Sequence, residues 1–568
     1  MSSWRNFDGS MNNRISRILF FLLLGAVGLL RIWLTEYQPL LALGWVTTDD
    51  QLFIVLAKYL LKGEWLGPYN SLTLVKGPFF SMWIAFMYVL GIPLLLSAQI
   101  LYIASCLVFV YAVKPLLTGR KLLAFLLFFS LLFNPASFDA GQTRVLRDLI
   151  YPSLTLLLVA CAFGVFFSTY SNSKGVWLWG VGLGIIFGCF WITREEGIWV
   201  VPFLVFVFVC AIFLFYRNEG TRSWRSFAKP WLVFILCFAV IINSVSYLNY
   251  IHYGVYVKTD LEADSYKAAY GALTRVKPSE TIRYVPVTKK TRMRIYKVSP
   301  AFRELKGYLE GPMGDLWAWS ANGAGRNRDN RNEILGGWFQ WAFRDAVSYA
   351  GYYSSGKYPD EYYQRVANEI NAACDTGLLD CYPRRDSLIP IWHRYYIKYL
   401  IPSIFDRMAA LIKFEYISID PIQSIGTEEQ IALFKEVTRE QVWSPGTNLE
   451  LSRSDGIRLS LARGILRLYQ VLMPWLGIYS IVAYLILLYQ FIRRRKYFIS
   501  VIVLSSLLIL TFTRVASLAF LDATSWKLAI LAYLHPAHVI WLAFVFLAMV
   551  ESFGIVRSCC RAKHSSFP

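Results

Sequence analysis

The sequence predicts an α-helical polytopic membrane protein, and three observations carry that prediction. Apolar residues fill 56% of the 568 positions, with a mean hydropathy of +0.44. They gather into runs of about 18 to 25 residues, each long enough to cross a bilayer. Threaded in alternation, those runs sort the basic loop residues to one side of the membrane. About 10 transmembrane helices are expected, near 18–34, 94–113, 121–136, 150–168, 176–192, 198–216, 231–250, 464–490, 497–517 and 528–550.

The first run follows Arg5, Arg14 and Arg17, as in a signal peptide, yet no small-residue cleavage site follows it. It therefore reads as a retained helix. Asp49 and Asp50 stand where this helix leaves the membrane. A charge near hydrocarbon costs a few kcal/mol unless it is paired or wet, so an acid pair held there points to a site. The plainer reading is a solvated helix cap. Next come an apolar helix over Gln51–Leu61, the sequence Gly63-Glu64-Trp65, a Gly/Pro/Asn-rich turn, and Lys76-Gly77-Pro78 opening the aromatic run Phe79–Leu90. At 10 to 14 residues these two apolar segments suit interfacial or re-entrant helices on the outer face. Counting Phe79–Leu90 as a span would instead place Lys114, Arg120 and Lys121 outside.

The net charge of +20 does not imply nucleic acid. Residues 251–460 hold 28 Lys and Arg against 25 Asp and Glu, nearly neutral, so an excess of 17 basic residues lies elsewhere. With both termini inside, the inside loops hold 18 basic residues and only three acids, Asp8, Glu219 and Glu551. That is the positive-inside pattern. The chain divides into an N-terminal membrane module at 1–250, with its first external loop at 35–93, a hydrophilic external domain at 251–460, and C-terminal membrane helices with a short tail at 461–568.

Within the external domain, Tyr362–Ala373 and Thr427–Arg439 read as helices, so it is mixed and mainly helical. Trp392, Tyr395, Tyr396 and Tyr399 recur at helical spacing, as packed core or as a stripe on lipid headgroups. Five of the nine Cys (Cys106, Cys161, Cys189, Cys210 and Cys237) lie in apolar runs. Only Cys374 and Cys381 fall in the hydrophilic region, where a local disulfide is expected if that side is oxidising. No zinc-ligand spacing appears.

Alternation brings the polar interruptions to one surface. Asp49 and Asp50, the stretch from Asn134 through Asp139, Arg144, Arg147 and Asp148, the motif Thr193-Arg194-Glu195-Glu196-Gly197, and the external domain all face outward. Arg514 falls near the outer end of the ninth run, and His535 and His538 in the outer half of the tenth. Intramembrane Arg and His are costly enough to suggest function. Simpler readings remain for each: Asp148 paired with Arg144 or Arg147, Glu195 or Glu196 with Arg194, and the histidines hydrogen-bonded to neighbouring helices.

Together, the acid pair, Gly63-Glu64-Trp65 and Lys76-Gly77-Pro78 resemble the first external loop of GT-C glycosyltransferases, such as aminoarabinose transferases, protein mannosyltransferases and oligosaccharyltransferases. Lys-Pro-Pro is common in that family where this chain has Lys-Gly-Pro. The resemblance implies a GT-C-like bundle, a polyprenyl-phosphate-linked sugar donor, and hexosyl or pentosyl transfer to an envelope glycan, lipid or protein acceptor. It implies the cell inner membrane, with the 251–460 domain on the periplasmic face. Asp49 or Asp50 matches the family's first acid, Asp139 or Asp148 the second, and Glu195 and Glu196 the third. Some members hold a divalent metal such as Mg or Mn with these acids, which makes Asp148 and Glu195 candidate ligands; others use none. Lys76, Arg147, Arg194, Arg514, His535 and His538 are the candidates for the donor phosphate, since cationic donors bind phosphate through charge-assisted hydrogen bonds.

No Walker motif, nucleotide loop or metalloprotease motif appears. The rival class is a carrier, a flippase, exporter or polymerase of lipid-linked saccharides. Carriers commonly show inverted repeats and mid-membrane charges, whereas here no repeat is visible and the acids cluster at one face. A structural subunit of an envelope complex would leave those acids without a role.

Overall fold

A computed structural model describes residues 11–117, 120–171, 175–217, 224–321, 323, 325–528 and 531–564. The inside markers Arg5, Lys174 and Arg222 fall outside these residues. The chain is a multi-pass helical membrane protein. Eight helices among the described residues are long and apolar enough to cross a membrane. They are the C-terminal part of α1 (Met11–Thr35), then α4 (Leu94–Ala112), α6 (Tyr151–Ser171), the 3₁₀ turn Gly197–Val200 continued by α8 (Val201–Arg217), α9 (Trp224–Tyr253), α19 (Arg453–Arg494), α20 (Phe498–Thr524) and α21 (His535–His564).

The other two expected spans form shorter helices, α5 (Lys121–Leu132) and α7 (Val176–Trp191). At 12 and 16 residues they rise about 18 and 24 Å, less than the roughly 30 Å of a hydrocarbon core. Beyond each, the chain runs on into turns tied to other parts of the bundle. Past α5, the Ser137 carbonyl accepts from Arg31 near the end of α1; past α7, the Thr193 carbonyl accepts from Arg147. Pro135 explains the shortness of α5. It lacks an N–H and forces Asn134 out of the helical region, so residues 133–150 complete the passage as a chain of 3₁₀ turns. The turns satisfy themselves, with the Asn134 side chain accepting from Ala136 N and Asp139 from Gly141 N. Irregular backbone at such depth persists where protein buries it or it lines a cavity.

The short apolar segments form α2 (Asp50–Leu61) and α3 (Phe79–Val89), which pack on each other. The Gly63-Glu64-Trp65 ending turns back on the bundle: the Trp65 indole N–H donates to Asn249 of α9 at 2.9 Å. The φ of +73° at Gly91 ends the α3 segment before Pro93 starts α4.

Residues 251–460 divide by packing. The helices α10 (Asp264–Arg275), α11 (Lys289–Val298), α12 (Pro300–Glu304), α13 (Lys306–Leu309), α14 (Pro312–Ser320), α15 (Gly336–Tyr349) and α16 (Lys357–Asp375) enclose their own core. Tyr266, Phe302, Phe343 and Tyr363 are at its centre. A disulfide between Cys374 and Cys381 closes its last turn, with Cα atoms 5.7 Å apart. By contrast, α17 (Ile397–Lys413) and α18 (Glu428–Thr438) belong to the membrane bundle. Leu411, Phe414, Phe434 and Val437 share a core with the spans, and α17 lies against α19 and α20. The aromatic stripe before α17 rests on protein, with Trp392 stacked on Phe520 of α20.

The loop that carries the acid pair is clamped by distant chain through isolated bridges: Leu40 to Val442, Leu41 to Arg144, and Leu43 to Ile425. Its position therefore depends on segments from both halves of the sequence.

Candidate functional site

Asp49 is the last residue before α2 and Asp50 the first within it, where a carboxylate favours the helix dipole. Asp49 Oδ1 receives the Lys76 ammonium at 2.6 Å. Gly77 allows that approach, since a Cβ there would lie 2.0 Å from the Ile192 carbonyl oxygen. The loop before Lys76 is held by the external core, where Arg344 donates to Ser71 O at 2.6 Å. Asp50 points the other way, fully buried, and takes a bidentate bond from Arg144 at 2.6 to 3.0 Å.

The 3₁₀ turn Arg147–Leu149 faces the Thr193–Glu196 turn after α7. Arg147 donates to both Glu195 oxygens at 2.8 Å, and Gly77 N–H points at Glu195 Oε1, 3.4 Å away. Asp148 pairs with Arg194 at 2.5 Å rather than with its neighbours Arg144 and Arg147. Arg194 Nε also lies 3.1 Å from Glu196, without hydrogen-bond geometry. From α20, Arg514 reaches Glu196 at 3.2 Å and donates to the Tyr533 carbonyl at 2.9 Å. The Tyr533 ring covers Arg194 at 4.7 Å. His535 approaches Asp139 at 3.3 Å.

The predicted residues thus meet at one end of the bundle, with one exception. His538 turns away, its Nδ1 against the Leu534 carbonyl and its ring 4.8 Å from that of Phe414. It is packed there against Phe414, with no hydrogen bond to a neighbouring helix among the described residues.

Charges balance within the network: Asp49, Asp50, Asp148, Glu195 and Glu196 face Lys76, Arg144, Arg147, Arg194 and Arg514. Exposure divides them. The side chains of Asp49, Glu195 and Glu196 are 34%, 25% and 36% exposed, whereas those of Asp50 and Asp148 are 0% and 7%. Burial disfavours ionisation of Asp49, but Lys76 outweighs it and holds the carboxyl below the usual range. Glu195 is lowered against burial by Arg147 and Lys76, and Glu196 to about 2 by Arg194 and Arg514. For Asp50, burial wins over Arg144 and the carboxyl rises to about 6. The result is three open, ionised carboxylates over a buried guanidinium floor.

Asp148 and Glu195 do not form a metal site. Each is turned to an arginine, and among the described residues no three His, Cys, Asp or Glu side chains gather as one. This set does not fit a divalent ion, and no step of the chemistry proposed for the site passes through one.

Beside the network, between α1, α4 and the 133–150 turns, lies a cavity of about 290 Å³. Sequence reasoning missed three residues lining it: Arg31, Gln142 and Glu440. Glu440 caps α4, accepting from Leu95 N at 2.5 Å, and burial pushes its carboxyl up to about 7. An acid raised in this way holds an extra proton in the fold, so stability falls as pH rises from about 4.5 through about 7. Glu440→Gln keeps the cap and is expected to raise the melting temperature at pH 8 while matching wild type at pH 5. Equal melting temperatures at pH 8 would show an ordinary carboxyl there.

Fold and site together define a multi-pass helical membrane protein with a charge-paired, partly open site at one end. No protein-family model matches the sequence, and no curated protein matches it. Two solved structures, ArnT from Cupriavidus metallidurans bound to undecaprenyl phosphate and the same protein in the apo state, are similar to the chain at TM-scores of 0.28 and 0.29. Each is 13% identical, over 94% of this chain and 78% of that one. Scores this low carry no weight for fold or function.

Proposed function

We propose that the protein is a membrane glycosyltransferase that moves a sugar from a polyprenyl-phosphate donor to an envelope glycan, lipid or protein acceptor. The observation that supports this reading is the meeting of Asp49, Glu195 and Glu196 as open carboxylates over Lys76, Arg147, Arg194 and Arg514. In this scheme Asp49 is the base. It takes the proton of the acceptor hydroxyl as that oxygen bonds to the sugar's anomeric carbon and the bond to the phosphate breaks. Asp50 cannot reach an acceptor, and its role is to fix Arg144. Glu195 and Glu196 orient the sugar and hold the arginines, while Lys76 and the guanidinium groups meet the charge on the departing phosphate.

The site and the 251–460 domain face the periplasm across the inner membrane in this reading. Cysteines placed at the exposed Ser354 and Arg494, in a background without the free native cysteines, should react with an impermeant reagent from opposite sides. Labelling of both from one side would overturn that topology. The transfer itself is tested by mass analysis of lipid-linked sugars and envelope glycans with and without the protein. Loss of the protein should leave a charged polyprenyl carrier in excess and one glycan, lipid or protein short of its sugar. Unchanged profiles would remove the reading.

A further inference from the structure

The cavity beside the network holds a charge that nothing answers. Arg31 is fully buried in the span of α1, where an isolated charge is costly. Its Nε donates to Gln99 Oε1 at 3.0 Å and its Nη2 to Ser137 O at 2.8 Å, both uncharged acceptors. Its guanidinium lies 3.8 Å from the Phe138 ring centre. Among the described residues no carboxylate forms an ion pair with it, and its Nη1 has no hydrogen-bond partner. One more buried nitrogen on the same wall is also without a partner, the amide Nε2 of Gln142.

The carboxylates of the cavity are already engaged. Asp139 accepts from Gly141 N and Ser418 N and faces His535 Nε2, Glu440 accepts from Leu95 N at the start of α4, and Glu36 is paired with Arg458. The wall therefore offers spare donors and one uncompensated cation, and what it lacks is an acceptor carrying negative charge. Buried donors left unpaired cost about 1–3 kcal/mol each, so the cavity is built to be filled by such a group.

We propose that this cavity is an oxyanion-binding site, in which Arg31 and Gln142 hold a phosphate or carboxylate group. The oxyanion is carried on a lipid headgroup or arrives free from solution. The site stands on these unpaired donors alone, whether or not the protein transfers sugar. It also lies apart from the cations of the network, each of which already has a carboxylate.

The test measures binding to the purified full chain in an uncharged detergent, with dodecyl phosphate, dodecanol and inorganic phosphate as probes. Dodecyl phosphate should bind about tenfold or more tightly than dodecanol, because a bond to a charged group is among the stronger ones. Arg31→Gln and Gln142→Glu should each weaken the phosphate probe by about tenfold or more, and the exposed Lys306→Gln should not. Gln142→Glu leaves every bond of Arg31 in place, so it remains decisive if Arg31→Gln fails to fold. Displacement by inorganic phosphate would support a soluble source. Its failure to compete, with the variants still defective, would support a lipid-borne oxyanion. Equal affinity for dodecanol and dodecyl phosphate, or wild-type affinity in Gln142→Glu, overturns the site. The readout is binding alone, so a protein that transfers no sugar could still pass or fail it.

Discussion

Asp49→Asn is expected to lower sugar transfer by about 10²- to 10⁴-fold, the usual contribution of a positioned general base. The change keeps size and one acceptor oxygen, so the bond from Lys76 persists in weaker form while proton acceptance is lost. Folding and donor binding should survive, because the side chain is one-third exposed and pairs with a single cation. Asp50→Asn should behave differently. Its carboxylate is sealed against Arg144, so loss of its charge acts through stability and the placement of Arg144. Transfer from a polyprenyl-phosphate donor by purified protein in detergent is the measurement. Wild-type turnover in Asp49→Asn would show that the base lies elsewhere. A double variant that still moves lipid-linked sugar across vesicles, where no transfer is ever seen, would make the protein a carrier.

The second large effect falls on stability. Arg194→Ala should cost about 3–5 kcal/mol, the range for removing one partner of a buried ion pair. Asp148 is 7% exposed and has Arg194 as its cation, so the variant leaves a carboxylate without compensation. Arg194 also touches Glu196 and is covered by Tyr533, so the turn after α7 would lose its tie to the Arg147–Leu149 turn and its packing against Tyr533. The readout is the melting midpoint in detergent, with an exposed pair such as Arg365 and Glu304 as reference, worth about 0–1 kcal/mol. An Arg194→Ala midpoint no lower than that of Arg365→Ala would mean that water already shares the load at Asp148.

Which charges gather at one end of the bundle was legible in the sequence, because an Arg, Asp or Glu beside apolar runs stands out against its surroundings. Which charges meet was not. Asp148 has cations one and four positions away, yet pairs 46 residues on, because the 3₁₀ turn at Arg147–Leu149 aims it across to α7. Arg31 carries the same signal as Arg514, yet sequence reasoning passed over it. Only the folded turns around Ser137 show that it is sealed. One span was also overcounted in length, since Pro135 cuts α5 to 12 residues where 121–136 was expected. The stretch 251–460 reads as one external domain; that Leu411, Phe414, Phe434 and Val437 share a core with the spans is visible only once α20 stands beside them.

The clamped loop has a consequence for how the protein is made. Glu196 leaves the ribosome 318 residues before Arg514, about 15 to 65 s at usual synthesis rates. During that interval the chain past α1 lacks its bridges to Ile425 and Val442, and the acids of the first half wait in a membrane without all their counter-charges. A truncated first half would therefore be a substrate for quality control rather than a weak enzyme. Supplying the second half as a separate chain would have to bring back both the bridges and the Arg514 partner of Glu196.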